Sequence, residues 1–305
     1  MERDERSPTR RRLLVGGAAG LVAAGTAGLV VRNQIRHPHR DKRSRPDGRY
    51  RRVALASPHP MHDAELMAAR NGGIFARYNL DVSIVPGLNS GAEALEQLKA
   101  GHAEAAVAPA LSWLPRLIGG LDARLISGLQ SGSSRLLIDR KSRIKRIEDL
   151  FHGAVGIADN GADRLFFSIM MRRKGMNPEN DVRWVQIPPD RFGDALGRRE
   201  VQAVAGHDPV IWQIKERFHL PELASSMTGS YGTRVSRVLG LRGDVLRDDP
   251  GAAVVLTLAM QDAAAFVQTH PADAASLMAD DLPDMTASDV ERMFRSEGHA
   301  VHPVG

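Results

Sequence analysis

Val53-Ala54-Leu55-Ala56-Ser57-Pro58-His59-Pro60-Met61-His62-Asp63 is the stretch on which the fold class turns. Its first four residues are a short apolar run of strand length. The next six are polar or Pro/His-rich, and Asp63 opens a helical pattern that continues to Arg70. A strand, a polar loop and a helix in that order form the first half of a βαβ unit. The pattern recurs along the chain. Further strand-like runs lie at Asp81–Val85, Ala105–Ala108, Arg124–Leu129 and Leu136–Asp139, and then at Ala154–Ile157, Val182–Gln186 and Ala203–Ala205. Helical patterns separate them at Ala92–Ala100, Leu111–Ile118, Ala162–Lys174, Arg191–Arg198 and Pro209–Phe218. Such alternation predicts an α/β protein with parallel-rich sheets flanked by helices.

The helix ends support this reading. Leu95 and Leu98 share a face of a helix that stops at Gly101, and a second helix runs through Arg172-Arg173-Lys174 to Gly175. Basic residues in a last turn followed by Gly complement the helix dipole and supply the left-handed cap. Three helices opened by Pro or Ser follow at Pro250–Gln268, Pro271–Met278 and Ser288–Arg295. Two βα sets with a helical return predict two lobes, with residues 51–139 plus 235–305 in lobe 1 and 140–234 in lobe 2.

Composition narrows the function. The 305 residues are 43% hydrophobic and 25% charged, the mix of a globular chain. With no Cys, disulfides, thiolate metal sites and Cys nucleophiles are excluded. The net charge of +5 is unevenly placed. Residues 32–52 carry nine Lys/Arg against two Asp, a charge of +7, and residues 1–31 add +2, which leaves 53–305 at −4. The body is mildly acidic, so no nucleic-acid partner is expected. Thr9-Arg10-Arg11-Arg12-Leu13-Leu14 followed by an apolar, small-residue run to Val31 has the form of an export signal, and its paired arginines resemble a twin-arginine address. Residues 1–31 are therefore expected to be a signal or an anchor, and 32–50 a basic linker. The mature chain is expected to be exported to the periplasm or the extracellular face of the membrane, which it would touch only through that segment.

No Gly-x-Gly, Walker loop, G-x-S-x-G or H-E-x-x-H occurs. His59/His62 and His299/His302 have a metal-like spacing but lack a third ligand. No metal and no cofactor are expected. The polar loops after the strands carry the site, because in open α/β sheets ligands bind beyond the carboxyl ends of strands, where helix N-termini favour anions. The candidate ligand-binding residues are His59, His62, Asn89, Ser90, Gly91, Ala110, Gln130, Asn160, Gly161, His207, Asp208 and Tyr231. Recognition is expected chiefly from main-chain N–H groups, with His62 and His207 as charge-responsive contacts. Trp113, Trp184, Trp212 and the three Tyr could wall the cleft or simply pack in the core.

Gly73-Ile74-Phe75-Ala76-Arg77-Tyr78-Asn79-Leu80-Asp81-Val82 resembles the "G-x-F-x-x-x-G-L-x-V" signature of ABC-transporter substrate-binding proteins of the nitrate/sulfonate/taurine family. Ala94-Leu95 through Ala106, Ile147 through Gly156, and Ala195-Leu196-Gly197 to Ala203 resemble further segments of that family in order, over residues 53–295. Asn79 and Gln202 depart from its usual Gly and Asp. The resemblance implies a two-lobed periplasmic-binding-protein (type II) fold with a hinge, closing on a small oxyanion or sulfonate of the nitrate, taurine, alkanesulfonate or bicarbonate class. It also implies ABC permease and ATPase partners, and a monomer. Related enzymes that make the thiamine pyrimidine or desulfinate their substrates depend on Cys, which this chain lacks, so no enzyme is expected. The alternatives are a membrane-tethered solute sensor, or an enzyme on the same scaffold using His207 as a base with Asp208 as its orienter.

Overall fold

The structure is a computed structural model that describes residues 48–159, 161–282 and 284–296. Among the described residues, ten strands form two five-stranded sheets. Along the chain they are β1 (Arg51–Ala56), β2 (Leu80–Ile84), β3 (Ala105–Pro109), β4 (Ala123–Ser131), β5 (Ser134–Ile138), β6 (Ala154–Ile157), β7 (Arg183–Gln186), β8 (Ala203–His207), β9 (Glu222–Ser225) and β10 (Val235–Arg242). The first sheet has the order β2-β1-β3-β10-β4 and the second β7-β6-β8-β5-β9. In each, three neighbouring strands are parallel and the fourth runs against them: β10 is antiparallel to β3 and β4, and β5 to β8 and β9.

The antiparallel strand is in both cases the one that has just crossed from the other sheet. The first crossing is only Gly132-Ser133, so β5 pairs in the second sheet, whereas the sequence reading placed residues through 139 with the first. A two-residue crossing leaves no linker composition to notice. Gly132 lies at φ 80°, and a Cβ there would come within 2.7 Å of Met227 Cγ, in the return crossing. The two crossings are also stitched together: Ser226 Oγ accepts from the N–H groups of Ser133 and Ser134, both at 2.9 Å.

The helices are α1 (Ala64–Asn71), α2 (Ile74–Arg77), α3 (Gly91–Lys99), α4 (Ala110–Ile118), α5 (Ala162–Arg173), α6 (Phe192–Gly197), α7 (Val210–Phe218), α8 (Gly243–Asp248), α9 (Pro250–Thr269), α10 (Pro271–Ala279) and α11 (Ala287–Ser296). One face of the first sheet packs its Val53, Leu55 and Leu239 against α1, α9, α10 and α11; the other packs Ala106, Ala108 and Val238 against α3 and the indole of Trp113 on α4. The second sheet is covered in the same way by α5 on one face and by α6 and α7 on the other. Fully burying one such Leu, Val or Phe contributes about 1.5–3 kcal/mol. α9 is long and apolar enough to cross a membrane by length and composition. Here its buried residues recur as 252/253, 255/256, 259/260, 263/264 and 267, the stripe of a helix seated on a core.

Candidate functional site

Three helices begin at a cleft of about 570 Å³ lined by residues of both sheet halves. α3 and α4 start there after β2 and β3, and α5 starts there after β6. The first-turn N–H groups of a helix have no intrahelical partner, and the dipole adds positive potential. Gly91, Ala92, Ala110, Leu111 and Ala162 bring such turns to the cleft wall.

Charged side chains reinforce this. On the β10 side, Arg237 is 7% exposed and lines the cleft. Its guanidinium donates to Asp63 Oδ2 at 2.7 and 3.1 Å and to Ser57 Oγ at 3.4 Å. Asp63 Oδ1 meanwhile accepts from Leu66 N at 3.0 Å as the N-cap of α1, so one buried carboxylate fixes both the helix start and the arginine. His59, in the same β1–α1 loop, is held at φ 45° and ψ 63°, a left-handed conformation that non-Gly residues adopt sparingly. Its ring stacks on His62 with centroids 5.0 Å apart. Burial, with the charge of His207 next, lowers the pKa of His59. The same two causes push His62 down to about 3, so it stays neutral.

Across the cleft, at the end of β8, His207 has 42% of its side chain exposed and Nδ1 2.7 Å from Asp163 Oδ2. Ser134 Oγ donates to the other carboxylate oxygen at 2.8 Å. The Asp163 charge raises the His207 pKa against the opposing effect of burial. Burial works to raise the Asp163 carboxyl, but the His207 charge and the hydrogen bonds from His207 and Ser134 outweigh it and hold it below the ordinary range.

Apolar side chains form much of the remaining wall of the cleft, beside serines and further arginines. Leu111 and Pro115 of α4 line it, as do Leu165, Phe166 and Ile169 of α5. Tyr231 meets Phe166 edge to face at 5.3 Å, with the guanidinium groups of Arg173 and Arg234 over its ring at 5.2 and 5.8 Å.

Of the twelve residues singled out from sequence, His59, Asn89, Ser90, Gly91, Ala110, Gly161, His207 and Tyr231 line this cleft. Asn160 lies outside the described residues, as does the His299/His302 pair. His62 sits behind His59. Gln130 is buried at the crossing, where its carbonyl accepts from Ser236 Oγ at 3.1 Å. Asp208 is 4% exposed and faces away, its carboxylate clamped by Arg135. It is Asp163, not Asp208, that orients His207. Several main-chain amides expected to face a ligand are already engaged: Asn89 N–H donates to Glu93 Oε2 at 2.9 Å, His59 N–H to Leu88 O at 3.0 Å, and Gly161 N–H to Asp159 Oδ1 at 2.7 Å. Side chains thus share the wall with the helix starts. The tryptophans do not line it: Trp113 is buried under Gly240, where a Cβ would collide with the indole, and donates to Val238 O; Trp184 donates to Pro178 O; Trp212 joins the core of the first sheet.

Sequence reasoning missed Arg237, Asp163, Arg173 and Arg234. Arg237 could have been found as a lone charge inside the apolar run Val235–Leu241. Among the described residues no group of three or more His, Asp or Glu is arranged to hold a metal ion.

Two mixed sheets flanked by helices, with helix starts from both facing a shared cleft, define the periplasmic-binding-protein fold. Residues 61–274 match the family model described as NMT1/THI5 like, and the chain belongs to that family. No curated protein matches the sequence. Among solved structures, the periplasmic aliphatic sulphonate binding protein SsuA from Escherichia coli is similar with a TM-score of 0.70 at 15% identity, over 83% of this chain and 82% of that one. The alkanesulfonate-binding protein SsuA from Xanthomonas axonopodis pv. citri bound to MOPS gives 0.67 at 16% identity, over 83% and 87%. The periplasmic nitrate-binding protein NrtA from Synechocystis PCC 6803 gives 0.64 at 15% identity, over 82% and 71%. At these identities the likeness is one of fold.

Proposed function

We propose that the chain is the extracytoplasmic solute-binding component of an ABC importer and that it takes a small organic anion of the sulfonate class into the cleft. The observation that carries this reading is the convergence of Arg237, His59, His207 and three helix starts on one partly apolar cleft. A volume near 570 Å³ is in the range of small-molecule sites and leaves room for a carbon tail beside the charged group. Leu165, Phe166 and Ile169 would cover such a tail, which nitrate and bicarbonate lack. The two sheets would act as lobes that close about the crossings at 132–133 and 226–234, and the closed form would be the one the permease reads. Export would be directed by residues 1–31.

Calorimetry of the purified protein against nitrate, bicarbonate, taurine and a series of linear alkanesulfonates tests the assignment. Binding that tightens with chain length supports it, and no heat with any of these anions overturns it. Fractionation separates a receptor from a tethered sensor: a shortened soluble form is expected, whereas an intact N-terminus in the membrane pellet favours the sensor.

A further inference from the structure

The geometry points to His207 as the residue that makes anion capture in this cleft pH-dependent: Asp163 holds Nδ1–H, so Nε2 donates to a ligand only when the ring carries a second proton, and anion capture takes up that proton. The inference rests on the solute-binding reading above and adds to it a chemical condition on the ligand. A neutral imidazole has one N–H and one lone pair, and the hydrogen bond made by one nitrogen decides the role of the other. Here Nδ1 lies 2.7 Å from an Asp163 carboxylate that Ser134 Oγ anchors from its other oxygen. The proton of the neutral ring is therefore at Nδ1, and the half-exposed ring shows the cleft a lone pair at Nε2. A lone pair repels a sulfonate. Only the imidazolium, with Asp163 as its counter-ion, presents a donor.

Arg116, Arg173, Arg234 and Arg237 also line the cleft, so His207 adds a proton-dependent donor to a set of cations rather than supplying the sole one. Asp163 comes from α5 and Asp159 from the loop before it, and both favour the protonated ring. Arg237 of β10 opposes it, an effect its pairing with one oxygen of Asp63 offsets in part. His59 and His62, from the β1–α1 loop, have lowered pKa values and do not replace it as cations. Asp208, the next residue, is paired with Arg135. The net effect raises the His207 pKa, Asp163 being the largest cause, so the imidazolium persists to higher pH than in an ordinary histidine, and a bound anion favours it further.

The test is calorimetry of the full chain with 1-hexanesulfonate from about pH 6 to about pH 9, a range spanning an ordinary histidine and its raised values, in buffers of differing ionisation heat. The sulfonate stays ionised throughout, so any pH dependence belongs to the protein. Above the His207 pKa, affinity should fall toward tenfold per pH unit, with uptake approaching one proton per anion bound. His207→Gln should bind more weakly and show no such slope. Asp163→Asn, which removes the counter-ion, should move the fall to lower pH. Hexanesulfonamide, a neutral N–H donor, should not weaken as pH rises. A flat wild-type profile, or a slope that survives in folded His207→Gln, overturns the inference while leaving solute binding intact. No binding of hexanesulfonate at any pH overturns both.

Discussion

The two sheets are built to one plan and carry an arginine at the same place in it, with different results. In each, the strand that crosses from the other half enters antiparallel beside the third parallel strand, and each crossing strand carries a buried Arg: Arg237 on β10 opposite Pro109, Arg135 on β5 opposite Gly206. Each guanidinium is paired with an Asp at 2.7 Å, with exposures of 8% and 1% for Arg237–Asp63 and 4% and 1% for Arg135–Asp208. Arg135 is saturated. It donates three times to Asp208, once to Glu222 and once to Ser296 Oγ of α11, and lies outside the cleft lining. Arg237 holds one oxygen of Asp63 and a long contact to Ser57, and it lines the cleft. A fully paired buried arginine ties elements together, whereas a partly paired one at a cavity wall still has charge and donors for a ligand.

The largest effect is therefore expected at the saturated pair. Asp208→Asn leaves the buried Arg135 guanidinium with Glu222 as its remaining carboxylate partner among the described residues, and breaking a buried pair from one side costs up to about 3–5 kcal/mol. Because Ser296 belongs to α11, which packs on the first sheet, the loss should appear in thermal unfolding of the whole body. Sulfonate affinity measured on the surviving folded fraction should change little. An Asp208→Asn protein as stable as the wild type would remove the distinction between the two arginines.

Asp63→Asn should cost less, about 1–3 kcal/mol, since the Asn carbonyl can still cap α1 and Arg237 borders the cleft. Its effect on binding should be opposite to that of an ordinary damaging mutation. Removing the carboxylate exposes the arginine charge to the ligand, so hexanesulfonate affinity should rise several-fold as stability falls. A parallel loss of both would mean that Asp63 orients Arg237 more than it neutralises it.

The same comparison shows which parts of the molecule were legible in the sequence. Strand–loop–helix units could be read because apolar periodicity is local: the starts of α3, α4 and α5 and the loops before them were placed to within a residue or two. The crossing strands were only half legible: β5 was read as a strand at Leu136–Asp139 but assigned to the wrong half, and β10 was not read as a strand. β10 is interrupted by Arg237, Gly240 and Arg242, and its place between β3 and β4 is a long-range choice. The partner of His207 was misjudged for a physical reason that is also simple. Asp208, the first residue after β8, starts the turn into α7 and is drawn into the buried pair with Arg135, away from the cleft that His207 borders. Asp163, 44 positions away on α5, borders that cleft too.

The smallest expected effect settles a question the sequence left open, namely whether the loop before α3 caps a helix or holds a ligand. Ser90 Oγ accepts from Glu93 N–H at 3.2 Å, and Glu93 Oε2 in turn accepts from Asn89 N–H, so the hydroxyl is committed to the helix start although Ser90 lines the cleft. Ser90→Ala should then cost about 1 kcal/mol of stability, the ordinary value of an N-cap. Hexanesulfonate affinity should stay within a factor of two or so, because the α3 first-turn amides remain in place when the hydroxyl is gone. Ser90→Thr, which keeps a hydroxyl, should restore the stability. If affinity instead drops tenfold while the melting temperature barely moves, the hydroxyl is a ligand contact, and the first sheet contributes to recognition through more than Arg237 and His59.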